Sequence, residues 1–377
     1  MLKIISPKEY VNQPDILIKA GDYIRKYGKR ILLIGSEKSI ESVKTQLFPS
    51  LEQADISYRL EYFKGYPTRE KIRSYASVYG KTIDAVTGIG GGRVIDTAKA
   101  LGNLLNVPVI TVPTVAATCA AWAAVSILYD NEGHFVEILR NDFAPVSVLA
   151  DTRILVNAPV RYTYAGVIDT FAKWYEINPY TEENVSDTHF QVIRSISRLA
   201  FRSLTENVHT ALHEARKGIV ARAAIQTVDA IVYLAGLAGS FHTARAYPGI
   251  AHTFYNLSTQ VVPAPELLHG EKIAFGLLLQ QVLLNENQTD IDGTVRLFAK
   301  YNSLFTLYRF GITDDDPLQK VSDIAQRMGE VLKLYPVLNI DGSKSNIEAA
   351  IYKTSKLIET RLNHPVLSGK QPYYVTD

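Results

Sequence analysis

Three stretches in the second half of the chain carry the residues best suited to chemistry. AGVIDTFAKWYE places Asp169 in an apolar helical pattern, GIAHTFYN does the same for His252, and ELLHGEKIAFG sets His269 just before Gly270 and Glu271. A buried carboxylate is costly unless it is paired or bound to a metal. Two imidazoles and one carboxylate suit Zn²⁺ or Fe²⁺ and leave positions open for water or substrate. Spacing alone does not join them, because they are far apart in sequence. A lone histidine in an apolar helix is also read as a satisfied core residue.

A second stretch suits an anion. Residues 83–99, IDAVTGIGGGRVIDTAK, pass from an apolar strand-like run into Gly88, Gly90, Gly91 and Gly92, and then into a helical pattern with Val94, Ile95, Ala98 and Leu101 on one face. Strand, glycine turn and helix start present free backbone N–H groups, and glycines let a phosphate approach closely. Without more, the same glycines also read as a tight turn, and the run is not G-x-G-x-x-G. Asp96 and Lys99 lie one turn apart on the new helix, placed either to brace the loop or to reach a ligand.

Elements of ordinary size must position these residues. At 377 residues the chain suits two domains. Forty basic against 38 acidic residues leave +2, too little to draw nucleic acid or a membrane surface. One cysteine, Cys119, excludes an internal disulfide framework and fits a reducing compartment. The start MLKIISPKEY lacks the apolar core of a signal peptide, so the cytoplasm is expected, with a small molecule as partner and a homo-oligomer left open.

RILLIG (30–35) reads as a strand buried on both sides, followed by a helix over SEKSIESVKTQL. ISYRLEYF alternates as a strand, TREKIRSYASVYG reads as a helix stopped by Gly80, and NVPVIT (106–111) supplies another strand. This alternation predicts a parallel sheet with helices on both faces. Beyond ADTRILVNAP (150–159) helical patterns take over: 161–176, 188–205 and 212–237, then several more. The expected domains are 1–157, α/β, and 158–377, all-α, with Asp314 to Asp316 read as a helix start.

GIGGGRVIDTAKA resembles the glycine loop of the iron-containing alcohol dehydrogenase and glycerol dehydrogenase superfamily, patterned GGGS/K-x-x-D-x-A-K. VPTVAATCAAWAAVSILYDNEGHF resembles the family segment that begins PT-x-A-S-T-D and ends S-x-x-Y. AG-x-x-D-x-x-A-K-x-x-E, AH-x-x-x-N and HGE-K-x-A-x-G recur in family order. The resemblance covers nearly the whole chain and fades over its last hundred residues. It implies the dehydroquinate synthase-like fold: an α/β dinucleotide-binding domain plus an all-α domain. It makes Asp169, His252 and His269 metal ligands and the catalytic centre. It gives NAD or NADP to Ser36, Gly90, Gly91, Gly92, Arg93, Asp96, Thr114, Ala117, Thr118 and Tyr129.

The departures from the family pattern inform specificity. Ser36, where many relatives that prefer NAD carry Asp, leaves room for a 2′-phosphate that Lys38 could pair with, whereas Glu37 opposes one. Ala117 replaces the usual Ser, and Tyr255 stands where many relatives have a further His. Cys119 replaces an Asp that holds a polyol hydroxyl in glycerol dehydrogenases, and it reads as a small apolar filler rather than a nucleophile. The run AATCAAW resembles a hydroxycarboxylate dehydrogenase branch that reduces 2-oxo acids. Arg245, two helical turns before His252 if one helix spans Pro248, is a candidate for the substrate carboxylate. The expected reaction interconverts a small 2-oxo acid and 2-hydroxy acid. Glycerol or another polyol is the alternative. A dehydroquinate-synthase-like lyase and a non-catalytic binding protein are the readings from other classes.

Overall fold

The computed structural model describes residues 2–180, 187–242, 247, 249–262, 266–312, 317–334 and 336–362. Its strands are β1 (Lys3–Ile4), β2 (Glu9–Gln13), β3 (Arg30–Gly35), β4 (Ser57–Tyr62), β5 (Ala85–Gly90), β6 (Val109–Pro113), β7 (Val125–Tyr129), β8 (Phe135–Arg140), β9 (Ser147–Asp151) and β10 (Phe241–His242). Six form one parallel sheet in the order β2-β9-β6-β5-β3-β4. β7 and β8 form an antiparallel hairpin, and β1 pairs with β10.

The central strands are apolar throughout because both faces are covered. Ile31, Leu33, Ile89 and Val112 pack on one side with Ile40, Val43 and Leu47 of the Glu37–Gln53 helix. Leu32, Ile34 and Val86 pack on the other with Ile72 of the Arg69–Tyr79 helix and with Val94, Ala98 and Leu101 of the Gly92–Leu105 helix. The strand order reverses between β3 and β5. From β3 the chain crosses one face to β4, and from β5 it crosses the opposite face to β6. The carboxyl ends of β3 and β5, Gly35 beside Ile89, therefore flank a topological switch point, the crevice where such sheets bind ligands.

The chain divides into two compact units, residues 1–174 with 187–246, and residues 175–186 with 247–377. Strands give way to helices near the 157/158 boundary read from the sequence, after β9 and the short Thr152–Asn157 helix, and that boundary falls inside the first unit. The first unit also holds the Thr188–Ala215 helix. Separate helices over 188–205 and 212–237 are not what forms. One helix runs on to Ala215 and stops before Gly218 (φ 76°), and the chain resumes as Arg222–Val228 with a π-helical continuation, Asp229–Leu234. Glycine releases the chain there at no steric cost, a stop signal inside the apolar pattern.

In the second unit the helices Ile250–Val261 and His269–Leu283 pack together around the Phe254, Phe275 and Phe310 rings. The helices Pro317–Lys333 and Lys344–Leu362 pack against them. Asp314 to Asp316 lie outside the described residues, and the following helix is described from Pro317.

Candidate metal and dinucleotide sites

At the switch point β5 ends at Gly90, Gly91 is the N-cap of the next helix, and Gly92 opens it. Gly90 has φ 153°, a conformation side chains rarely adopt, and a Cβ on Gly91 would stand 3.2 Å from the Val115 Cγ2. No side chain caps this helix, so its first N–H groups remain directed at whatever occupies the crevice.

The loop after β6 lies over the same turn. The Thr114 N–H donates to the Gly90 carbonyl at 3.2 Å, and Thr118 Oγ1 lies 3.8 Å from where a Gly92 Cβ would be. Thr118 Oγ1 also accepts from the Ala120 N–H, and Ala117 is half-buried beside it. The Arg93 guanidinium stacks 4.3 Å over Tyr66, whose ring stands 5.7 Å from Tyr129. Tyr66 is a platform the sequence reading missed.

The Asp96 and Lys99 pair braces the loop. Their side chains meet at 2.9 Å, the lysine 1% exposed, and Lys99 Nζ donates to the carbonyls of Ala120, Ala123 and Val125. A buried ammonium is tolerated when a carboxylate and carbonyls saturate its donors. At the end of β3, Ser36 caps the Glu37–Gln53 helix, accepting from the Ser39 N–H at 3.2 Å, and Glu37 pairs with Lys64 at 3.1 Å on the surface.

In the second unit one hydrogen-bonded group organises the histidines. Glu176 accepts from the His252 backbone N–H at 2.9 Å with one carboxylate oxygen, and its other oxygen lies 2.7 Å from His252 Nδ1. An ionised carboxylate only accepts, so Nδ1 carries the proton and a neutral His252 keeps its lone pair on Nε2. The contact needs Gly249, where a Cβ would meet the Glu176 carboxylate at 1.9 Å. Gly276 does the same for helix approach, since a Cβ there would sit 2.7 Å from the Ala251 Cα. That close crossing brings the His252 and His269 rings to 5.4 Å. Tyr255 stands edge-on to His269 at 4.3 Å, with Lys272 Nζ 5.5 Å from the Tyr255 ring.

Asp169 is buried, at 3% exposure, on the Val160–Ile177 helix. Gly166, one turn earlier, lets that helix meet the 114–119 loop, for a Cβ there would lie 2.1 Å from the Ala116 carbonyl. The family resemblance groups this Asp169 of the first unit with His252 and His269 of the second as one ligand set. A second cluster, Asp130, Glu132 and His134, closes the β7–β8 turn, where Asp130 accepts from three backbone N–H groups. Cys119 is half-buried. Desolvation holds its thiol above the usual range, Lys173 pulls it down and Asp169 pushes it up, so it is not set up as a nucleophile. Arg245 lies outside the described residues, and the His252 helix begins only at Ile250, with Gly249 at its N-cap.

Residues 7–152 match the family model of iron-containing alcohol dehydrogenase. Glycerol dehydrogenase of Citrobacter freundii is 32% identical over 321 residues, covering 84% of this chain and 87% of its own. Hydroxycarboxylate dehydrogenase A of Escherichia coli (strain K12) is 30% identical over 345 residues, covering 89% and 92%. The crystal structure of a probable glycerol dehydrogenase from Sinorhizobium meliloti 1021 shares the fold, with a TM-score of 0.81 at 23% identity over 95% of this chain and 99% of that one. The protein is therefore an oxidoreductase of the class that acts on CH–OH groups. The chain belongs to the iron-containing alcohol dehydrogenase family.

Proposed function

We propose that the protein interconverts a small 2-oxo acid and the corresponding 2-hydroxy acid, using NAD(P)(H) and one divalent metal, Zn²⁺ or Fe²⁺. The donor set fits such an ion: Asp169 is a buried carboxylate, the His252 and His269 rings stand 5.4 Å apart, and the Glu176 contact at Nδ1 sets the His252 tautomer that carries its lone pair on Nε2. The metal, when bound, supplies a Lewis acid that polarises the substrate carbonyl.

This chain's own residues do the rest. Glu176 fixes the ring orientation and tautomer of His252 through its bond at Nδ1, and holds the helix start through the bond from the His252 backbone N–H. The glycine turn seats the dinucleotide pyrophosphate with Gly90, Gly91 and Gly92, with Thr114 and Thr118 beside it, while Asp96 and Lys99 keep that loop in place. Arg93 and Tyr129 extend the seat through Tyr66. At the ribose end both nicotinamides remain in the proposal. Ser36 and Lys38 favour a 2′-phosphate, and Glu37 opposes it with its charge partly offset by Lys64.

The observation that carries the substrate choice is Cys119. A neutral thiol within electrostatic reach of Asp169 and Lys173 stands where a polyol-binding carboxylate would be. Without that negative charge a substrate carboxylate is not repelled, and the Lys173 ammonium attracts it. Polyol oxidation is the second reading, favoured by the similarity to glycerol dehydrogenases. The test compares kcat/KM for 2-oxobutanoate reduction and glycerol oxidation in the parent and in Cys119→Asp. The parent should favour the oxo acid, and the aspartate should shift the ratio toward glycerol. A parent that prefers glycerol, or a ratio that Cys119→Asp leaves unmoved, contradicts the substrate choice.

A further inference from the structure

In the first unit, residues 119–123 form a turn folded on the Cys119 carbonyl, which accepts from the N–H groups of Trp122 at 3.0 Å and Ala123 at 3.2 Å. Lys99 holds this turn through the carbonyls of Ala120 and Ala123, and Thr111 Oγ1 donates to the Ala121 carbonyl at 2.8 Å. The Trp122 side chain adds a separate anchor. It is 6% exposed, lies 5.7 Å from the Tyr10 ring and 5.1 Å from the Tyr233 ring, and donates its indole N–H to Ser240 Oγ at 2.9 Å.

A local irregularity makes the seat for that indole. The helix that begins at Arg222 passes through a π-helical turn, Asp229–Leu234, before Ala235–Ala238. Such a bulge holds one more residue than an α-turn, so it rotates every later residue by about 100° around the helix axis. With it in place Gly236 lies against the indole, where a Cβ would stand 2.4 Å from the Trp122 Cγ. Ser240, four residues on, accepts from the indole and donates to the Gly236 carbonyl at 3.0 Å. Polar contacts pin the bulge at its start. Asp229 accepts from the Tyr10 hydroxyl at 2.9 Å and from Asn12 Nδ2 at 2.8 Å, and Thr152 donates to Asn12 Oδ1 at 2.7 Å. Burial, and then the Asp229 charge, push the Tyr10 phenol up, which keeps it a donor.

We propose that Trp122 is a positioning residue for the substrate: seated on the π-bulge, it fixes the turn that presents Cys119. Asp229 and its partners fix the bulge, and the bulge fixes the indole. The backbone N–H of the same tryptophan donates to the Cys119 carbonyl, so a displaced indole displaces Cys119. A glycine inside a helix costs stability, and here it makes room for one ring. The consequence for substrate rests on the role proposed above for Cys119.

Cys119 is the only cysteine of the chain, so its labelling by N-ethylmaleimide, followed by mass spectrometry on zinc-loaded protein at one pH, reads the turn without turnover. Trp122→Ala and Gly236→Ala, the second striking the indole from the helix side, should each speed labelling about tenfold or more. Both should raise the KM for 2-oxobutanoate about fivefold or more and keep the NADH dissociation constant within about twofold of the parent's. Trp122→Phe, which keeps a ring against Tyr10 and Tyr233, should recover most of both effects. Ile24→Ala, which opens a cavity in the sheet core beside the Glu37–Gln53 helix, controls for general loosening and should label at the parent's rate. If the parent turns over glycerol instead, the glycerol KM is followed, so a failed substrate reading does not decide this test. Parent-like labelling in Trp122→Ala overturns the proposal, as does an unchanged KM, equal acceleration in Ile24→Ala, or Trp122→Phe no better than Trp122→Ala. NADH affinity that falls as far as the KM rises overturns it too, because the whole loop has then collapsed.

Discussion

Replacing Glu176 by glutamine changes no volume and removes one charge, and the outcome follows from the two hydrogen bonds that the carboxylate accepts. The carboxylate accepts from two donors on His252, the backbone N–H at 2.9 Å and the ring Nδ1 at 2.7 Å. A glutamine amide has one acceptor and one donor end. Whichever way it turns, one His252 donor faces an NH₂ group, and either the helix start or the ring loses its partner. The Glu176 side chain is only 11% exposed, so water does not readily replace the lost bond. Loss of such an outer partner typically lowers metal affinity about 10–100-fold, or ~1.4–2.7 kcal/mol. Competition with a chelator of known affinity measures it for the parent and Glu176→Gln, and the metal-free proteins should unfold at similar urea concentrations. Gly249→Ala, which drives a Cβ into the same carboxylate, should reproduce the defect. Parent-like zinc affinity in Glu176→Gln would refute the orienting role.

Three further outcomes are expected. Gly91→Val should weaken NAD(P)H binding about tenfold or more in a fluorescence titration, by placing a branched side chain beside Val115 where a phosphate must approach; unchanged affinity would make the glycines only a turn. Lys99→Met should destabilise the first unit by about 3–5 kcal/mol in urea, because Asp96 and three carbonyls lose a buried cation; a loss under ~1 kcal/mol would show that the ion pair is dispensable. Asp84 has its carboxyl held down to about 2, chiefly by hydrogen bonds from Arg30 and then from its backbone. A depressed folded pKa contributes stability above the unfolded value near 4 and loses it as pH falls toward 2. The stability gap between the parent and Asp84→Asn should therefore be open at pH 5 and close by pH 2; a gap independent of pH would contradict the assignment.

Local patterns were the legible ones. Strand, glycines and helix in 83–99 lie next to one another in sequence, so the turn and its buried helix face followed from periodicity. The sheet followed from apolar runs such as RILLIG, buried on both faces as expected. Long-range partners were not legible. The sequence shows Asp96 and Lys99 one turn apart, but the carbonyls that complete the lysine's shell come from residues 120–125, whose folding back no local spacing encodes. Glu176 sat inside a quoted family pattern without a role, because its partner is 76 residues away. Gly166, Gly249 and Gly276 mark contacts between elements rather than turns, and only packing reveals what each would strike. The stop at Gly218 was in plain view and was outweighed by the apolar pattern around it.

The central claim is that Asp169, His252 and His269 together hold one divalent ion. Inductively coupled plasma mass spectrometry measures it directly on protein stripped with chelator, reloaded with Zn²⁺ and desalted. The parent should retain one equivalent per chain, and His252→Ala, folded by circular dichroism, should retain almost none and lose NAD(P)H-linked turnover. A folded His252→Ala protein that keeps a full equivalent, or turns over normally without metal, would contradict it.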